Sequence, residues 1–542
     1  MDDLRTVAEL AGIGARQARA RTLMLIAAPA DSAIIQNDCD CACPAVPASA
    51  LPARPLHEHM RLRLHPQARF AELKKETTFR PHPPSPSPTP GGRGSDSPPL
   101  SAWERGPGGE GEAPYLLFIP SVVSGVVVSR ELRDGLLAIG APRSLAQLRA
   151  GMPQELIERC FALGILVDDL PPTPPPTGDV LVAWLHVTNA CNLRCTYCYL
   201  NKNDEAMSAE TGRAAVDAII RSALQHGYQA IKLKFAGGEA SLNFALVWEL
   251  HEYALAATVA HGLALEAVVL SNGVGVSREG LRELQQRGIR LMISLDGFAA
   301  DHDTQRIFAN GRGSFAAVAR TIERAQAIGL QPDISVTVSG QTAGGLAALV
   351  GWLLDRDLPF NLNFYRENDC SAGFTALQLD EQRIVAGMLA AFGVIEQRLP
   401  ARGLLAALVD RANLATAHSK TCGVGESYLV IDQHGGVAKC QMEIERPITS
   451  VHTADPLGII RADTIGVRNV PVQEKEGCRD CAWQLWCAGG CAVATFRATG
   501  RYDVRSPNCG IYTALYPAAV RLEGLRLLKY GAREYYEAEG QR

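Results

Sequence analysis

A chain of 542 residues has room for two to four domains, and a hydrophobic content of 47% is enough for a sizeable core. A net charge of −4, with no long basic run and no interleaving of aromatic with basic residues, argues against a nucleic-acid partner. A membrane span is excluded too, because Thr22–Ala30 is too short and the apolar run from Tyr115 to Ser129 is broken at Pro120.

The first region, 1–113, is expected to be largely without order. From Arg80 to Gly111 it is so rich in Pro, Gly and Ser that it cannot bury enough apolar surface to fold. This stretch reads as an insertion, since Arg61–Glu72 and Tyr115–Phe118 would join smoothly without it. Cys39, Cys41 and Cys43 alternate too tightly to chelate one ion well. They are either incidental cysteines of a tail or part of a fused peptide-like leader. Basic residues before Thr22–Ala30 give that run the look of a signal peptide, but metal loading of so many thiols points to the cytoplasm.

A small folded unit is predicted at 114–170, with strands at Tyr115–Ile119 and Gly125–Ser129 and helices at Arg130–Ile139 and Leu145–Leu163. Cys160 falls on the apolar face of the second helix. The proline run Pro171–Pro176 then forms a stiff boundary. Between 180 and 400 apolar runs alternate with amphipathic segments. Strands are expected at Leu181–Thr188, Ile231–Ala236, Leu265–Ser271, Arg290–Leu295, Ile334–Ser339 and Phe360–Tyr365, with helices such as Ala209–Gln225 and Ser314–Ile328 between them. Such alternation implies an α/β fold of parallel strands with right-handed crossovers, whose chemistry sits at the strands' C-terminal ends.

Cysteine clustering carries the chemistry. The chain has 15 cysteines, grouped at short spacings and not scattered as a disulfide framework, which reads as metal binding in a reducing compartment. After the first strand comes Cys191-Asn-Leu-Arg-Cys195-Thr-Tyr197-Cys198. Three thiolates at this spacing can hold three corners of a four-iron cluster and leave one iron open. A zinc loop is the alternative.

CxxxCxxC with an aromatic before its last cysteine resembles the signature of the radical S-adenosylmethionine (SAM) enzymes. The resemblance implies an open partial (β/α)6 barrel and a 4Fe-4S cluster at Cys191, Cys195 and Cys198. Its free iron would chelate SAM, and its electron would release a 5′-deoxyadenosyl radical. Gly237-Gly238-Glu239 resembles the family's contact to the SAM amino group, although Ala240 stands where proline is usual. Ser271-Asn272-Gly273 and Ser294-Leu295-Asp296-Gly297 resemble its ribose, sulfonium and pocket segments, and Tyr197 joins this set. Arg306, within His302-Asp-Thr-Gln-Arg306, matches an arginine that neutralises the SAM carboxylate.

Further on, Cys422, Gly435, Cys440, Cys478, Cys481, Cys487, Cys491 and Cys509 resemble the SPASM extension. The resemblance implies a SPASM domain at 415–512 with two auxiliary 4Fe-4S clusters, three clusters in all. Cys478, Cys481, Cys487 and Cys509 would hold one auxiliary cluster, and Cys422, Cys440 and Cys491 the other. An eighth ligand is missing, with Cys370 the nearest cysteine, so an open iron there can take a substrate thiolate or amide. A C-terminal helix is expected at 513–542.

The unit at 114–170 resembles winged-helix peptide-recognition domains, which take an extended leader as an added strand. The functional expectation is modification of a residue in a peptide or small protein, by crosslinking or oxidation, with reducing equivalents from a donor such as flavodoxin or ferredoxin. Alternatives are sulfatase maturation, quinone-cofactor maturation and, outside enzymes, a metal-binding adaptor. Gln441 stands where sulfatase-maturing relatives carry an aspartate base, and an amide cannot take up a proton at neutral pH. Candidate bases are Asp296, Glu426 and Glu443.

Overall fold

The structure is a computed structural model. It describes residues 21–27, 56–58, 60–66, 68–73, 113–119, 123–168, 180–404, 406–414 and 418–538. Cys39, Cys41, Cys43 and the Pro/Gly/Ser-rich stretch lie outside the described residues. The chain divides into two compact units.

The first unit contains strands β1 (Arg21–Ala27), β2 (Arg61–Leu64), β3 (Arg69–Glu72), β4 (Tyr115–Ile119), β5 (Val123–Val128), β6 (Arg143–Ser144) and β7 (Leu166–Val167). Helices Arg130–Leu137, Leu145–Arg149 and Gln154–Ala162 pack with them. Leu25, Leu117, Val126, Leu132, Leu156 and Cys160 share its core. Two expectations are corrected here. Three strands fall inside the stretch expected to be largely without order, because Leu23, Leu25 and Ala27 supply a buried face to this core. The helix expected over Leu145–Leu163 is two helices, since Pro153 has no N–H to continue the first. β3 pairs antiparallel with β4, and the Leu73 N–H donates to the Pro114 carbonyl at 2.9 Å. The chain before residue 74 and the chain after residue 112 are therefore held together by this pairing.

The second unit is built on nine strands: β8 (Val180–His186), β9 (Ala230–Ala236), β10 (Ala264–Ser271), β11 (Arg290–Ser294), β12 (Asp333–Val338), β13 (Phe360–Phe364), β14 (Tyr428–Ile431), β15 (Gly436–Ala438) and β16 (Thr449–Ser450). Their order is β13-β12-β11-β10-β9-β8-β14-β15-β16. The six strands β8 to β13 are parallel and sequential, which is the open α/β arrangement expected. They are buried almost throughout, as parallel strands covered on both faces must be. Between them run helices Ala209–Gln225, Phe244–Ala260, Arg278–Gln286, Phe315–Ala327 and Leu346–Leu354. β14 adds parallel to β8 and then turns back through β15 and β16, so the cysteine-rich region extends the same sheet.

The chain ends with helix Cys509–Tyr530 and strand β17 (Ala532–Ala538). β17 pairs with β1 along seven residues, giving the first unit's larger sheet the order β17-β1-β5-β4-β3. The helix expected over 513–542 therefore stops at Tyr530. Gly531 packs against the Leu527 and Ala27 carbonyls too closely for a Cβ, and the chain leaves the helix there.

Candidate functional site

The loop from Cys191 to Cys198 follows β8, at the C-terminal end of the parallel sheet. It is stitched down by the stretch after β11. The Arg194 N–H donates to the Ile307 carbonyl at 2.7 Å, the Thr196 N–H to the Gln305 carbonyl at 3.0 Å, and Leu193 bridges to Phe308. Two donors reach the Cys191 sulfur, the Leu193 N–H at 3.4 Å and Asn272 Nδ2 at 3.7 Å. Asn272 also donates to Asn192 Oδ1 at 2.7 Å, so the end of β10 fixes this loop. Burial pushes the Cys195 thiol up to about 11, and all three cysteines are free.

The glycines after β9 approach backbone. A Cβ on Gly237 would lie 2.4 Å from the Thr188 carbonyl oxygen, and one on Gly238 2.4 Å from that of Ala190. Their neighbours' amides are engaged as well, Gly238 N–H to Thr188 O at 2.7 Å and Glu239 N–H to Ala190 O at 2.8 Å. Glu239 is 1% exposed, and its carboxylate accepts from Ser271 Oγ (2.7 Å), Asn272 N–H (2.6 Å) and Ser241 N–H (3.0 Å). Burial raises its carboxyl, against these three donors. The carboxylate thus ties β9 to β10 and has little capacity left for a ligand.

Tyr197, Asp296 and Arg306 form one buried cluster. The Tyr197 hydroxyl donates to Asp296 Oδ2 at 2.6 Å and accepts from Arg306 Nη1. Arg306 also lies 3.6 Å from Asp296, and its Nε is buried without a partner. Asp296 further accepts from Gln305 Nε2 at 3.1 Å and from the Thr337 N–H at 3.0 Å. Burial opposes the Arg306 charge, but Cys195, Tyr197 and Asp296 beside it hold it protonated. His302 accepts from the Asp296 N–H at Nδ1 (3.2 Å) and faces Ser314 Oγ at Nε2 (2.9 Å), and Ser314 donates to the Arg306 carbonyl. That chain of donors requires the neutral Nε2–H tautomer. Ser294, by contrast, only closes β11.

The seven distal cysteines separate into two groups. The charge of Cys440 is coupled to Cys491 and Cys422, and that of Cys478 to Cys487, Cys509 and Cys481. Burial pushes Cys440 up to about 12 and Cys478 up to about 11. Burial also acts on Cys491, but Arg366 and Arg411 more than reverse it. Cys478, Cys481, Cys487 and Cys509 line one cleft together with Trp483, Tyr512 and Tyr516. Among the described residues no three His, Cys, Asp or Glu side chains close on a single point as one metal ion requires. Cys370 is exposed and its sulfur faces the Tyr199 carbonyl at 3.8 Å and Asn201 Oδ1 at 3.7 Å. Both of these partners lie just after Cys198, which places Cys370 with the first cysteine loop.

Of the candidate bases, Asp296 is committed to the Tyr197 cluster, Glu426 is ion-paired with Lys420, and Glu443 pairs with Arg446 at 3.0 Å. Gln441 accepts from the Tyr428 hydroxyl at 3.1 Å. Sequence reasoning missed Asn192, Gln305, Asn368 and Lys475. Asn368 donates to the Tyr197 carbonyl at 3.0 Å, and of the four, Asn192 and Gln305 lay in stretches singled out beforehand.

The three free thiols and the buried Tyr–Asp–Arg cluster lie together at the C-terminal edge of a parallel α/β sheet. Residues 185–353 match the model of the Radical SAM superfamily, so the chain carries a radical SAM domain, the domain of a family that uses a 4Fe-4S cluster and SAM. Among curated proteins it is similar to Fe-coproporphyrin III synthase of Methanosarcina barkeri, 27% identical over 184 residues, covering 33% of this chain and 42% of that one. It is also similar to the sporulation killing factor maturation protein SkfB of Bacillus subtilis, 27% identical over 31% of this chain and 38% of that one. The cysteine-type anaerobic sulfatase-maturating enzyme of Clostridium novyi is 23% identical over 31% and 46%. The chain thus spans less than half the length of each of these relatives. Among solved structures, anSMEcpe with bound AdoMet shares the fold at TM-score 0.53 and 17% identity, over 63% of this chain and 98% of that one. Among the described residues no helix is long and apolar enough to cross a membrane.

Proposed function

We propose that this chain is a radical SAM maturase that modifies a residue of a peptide or small protein, and that it holds one SAM-binding and two auxiliary 4Fe-4S clusters. The observation that carries the reading is the placement of the seven distal cysteines: Cys478, Cys481, Cys487 and Cys509 line one cleft, and Cys422, Cys440 and Cys491 share one packed cluster. The radical SAM domain upstream favours iron over zinc for these thiols, since auxiliary clusters have an electron-transfer role beside a radical site. Cys191, Cys195 and Cys198 would hold the first cluster. Cys478, Cys481, Cys487 and Cys509 would hold the second, and Cys422, Cys440 and Cys491 the third, with one iron left open. When bound, the first cluster supplies the electron that splits SAM, and the auxiliary clusters accept electrons as product forms.

The protein's own groups then have distinct tasks. With the Gly238 and Glu239 amides already bonded and the Glu239 carbonyl accepting from the Leu242 N–H at 3.1 Å, the Gly238 carbonyl is the atom suited to the SAM ammonium. Glu239 and Asn272 act by position, holding that segment and Cys191 in place. Arg306 keeps one buried N–H for the SAM carboxylate, and Tyr197 and Asp296 hold the guanidinium that presents it. Among the candidate bases the carboxylate oxygens of Asp296 are occupied, Glu426 faces Lys420 and Glu443 faces Arg446, so the geometry favours none of the three over the others. Gln441 is bonded as an amide, which argues against sulfatase maturation. The first unit's outer strands β3 and β17 are where an extended peptide would add.

Anaerobic reconstitution with iron and sulfide, followed by dithionite and SAM, tests the reading. We expect iron for three clusters and release of 5′-deoxyadenosine, with cleavage abolished in Cys195→Ala. Cys481→Ala should retain cleavage but lose the mass change of a candidate peptide. Zinc in place of iron, with no SAM cleavage, would overturn it.

A further inference from the structure

Lys475 is 1% exposed, and its Nζ donates to the Ala488 carbonyl at 2.8 Å. Among the described residues no carboxylate pairs with it. Burying an ammonium with a single carbonyl partner is costly, and such a group persists only where an anion offsets it. The surroundings show where that anion belongs. Ala488 lies in the turn Cys487-Ala-Gly-Gly-Cys491, which runs from one cysteine group directly into the other. Three successive residues of that turn are left-handed, with φ of 46° at Ala488, 75° at Gly489 and 72° at Gly490. Ala488 pays steric strain there that glycine would not. A Cβ on Gly489 would lie 2.5 Å from Lys475 Cδ, so the turn is wrapped around the lysine stem. Thr421, beside Cys422, donates to the Ala488 carbonyl at 3.1 Å and to Gly490 at 2.7 Å. The Lys475 carbonyl accepts from the Cys478 N–H at 3.1 Å. The lysine is thus tied to the segments carrying Cys422, Cys478, Cys487 and Cys491, and the same four sulfurs contribute to its electrostatic environment.

We propose that Lys475 is a positioning residue shared by the two auxiliary clusters, its buried ammonium serving as the common counter-charge that raises both reduction potentials and holds the turn joining their ligands. The assignment rests on the cluster reading above. Each cluster with its thiolates is an anion, and a cation held between two anions makes it easier to add an electron to either.

The experiment uses the full chain carrying Cys195→Ala, so that only the auxiliary clusters report. Iron and sulfide content and EPR-monitored redox titrations are compared for Lys475, Lys475→Gln and Lys475→Arg. We expect Lys475→Gln to bind the same iron with both midpoints moved to more negative potential, and Lys475→Arg to keep them. Failure of Lys475→Gln to load where Lys475→Arg loads fully supports the same conclusion, since charge is the difference between the two. Full loading of Lys475→Gln with unchanged midpoints overturns the role of Lys475 alone, and so does failure of both variants to load. Iron short of two clusters in the Lys475 protein overturns the cluster reading and this assignment with it.

Discussion

Arg306 and Asp296 stand 3.6 Å apart in a site where the arginine side chain is 7% exposed and the carboxylate 0%. Removing one partner of a buried pair leaves the other uncompensated, which costs ~3–5 kcal/mol. Arg306→Gln is therefore expected to lower the denaturation midpoint of the cluster-free chain, and Tyr197→Phe to lower it less, since one neutral donor is lost. Equal effects would remove Asp296 as the reason for the arginine. His302 gives this site a pH dependence. Burial lowers its pKa from 6.5 to about 4, reinforced by Arg306 and opposed by Asp296 and Asp303. The unfolded chain takes up this proton near its ordinary pKa and the folded chain only near 4, so stability falls as pH drops through that window. The loss is ~1.4 kcal/mol per pH unit, or ~3 kcal/mol in all. In the cluster-free chain, His302→Gln should flatten the urea-midpoint profile between those two values relative to wild type. Parallel profiles would show that the imidazole is charged in the fold.

The contacts around Gly237 show how an element places the site. Its neighbour across the gap is backbone, the Thr188 carbonyl, which cannot rotate away as a side chain can. Gly237→Ala should push 237–239 off the end of β8 and draw Glu239 away from Asn272. The expected result is loss of one cluster's iron and of SAM-induced EPR changes, with auxiliary iron kept. At the other end of the chain, stopping after Gly531 removes β17 and exposes the outer edge of β1. Hydrogen exchange should then accelerate at the Arg21–Ala27 amides, while β8 to β13 keep their protection. The parallel strands and the helix Ala209–Gln225 were legible because buried strands read as apolar runs and that helix as one amphipathic period. β17 was not, since Ala-Arg-Glu-Tyr-Tyr-Glu-Ala carries charges and alanines that suit a helix as well, and only pairing with β1 decides it. β2, with its alternating arginines, and β3, four residues with a charge at each end, were missed because such short polar strands look like the low-order segment beside them. The spacing of the distal cysteines brought a family pattern with it. Lys475, Arg366 and Arg411 brought none, because a cation bound for the interior reads in sequence like one on the surface.

At the scale of the whole molecule, all ten cysteines assigned to clusters lie in the second unit, whereas the first unit's described cysteine, Cys160, is buried among aliphatic side chains. Metal binding is linked to folding only in the unit whose ligands it joins. Without iron the second unit carries a buried Lys475 with no carboxylate paired to it among the described residues, whereas Arg366 keeps Asp410 at 2.6 Å. Clusters held at ~1,000 times their dissociation constant add ~4 kcal/mol, which for a unit of this size raises its transition by roughly 6 °C. Calorimetry of the loaded chain should therefore show two transitions. Anaerobic chelation of iron should move only one of them downward, and limited proteolysis of the stripped protein should cut first within 418–523. The unmoved transition is assigned to the first unit by loss of that peak alone when the chain stops after Gly531. If chelation moved both transitions together, the two units would be melting as one, and the separation of peptide docking from cluster chemistry along this chain would have to be given up.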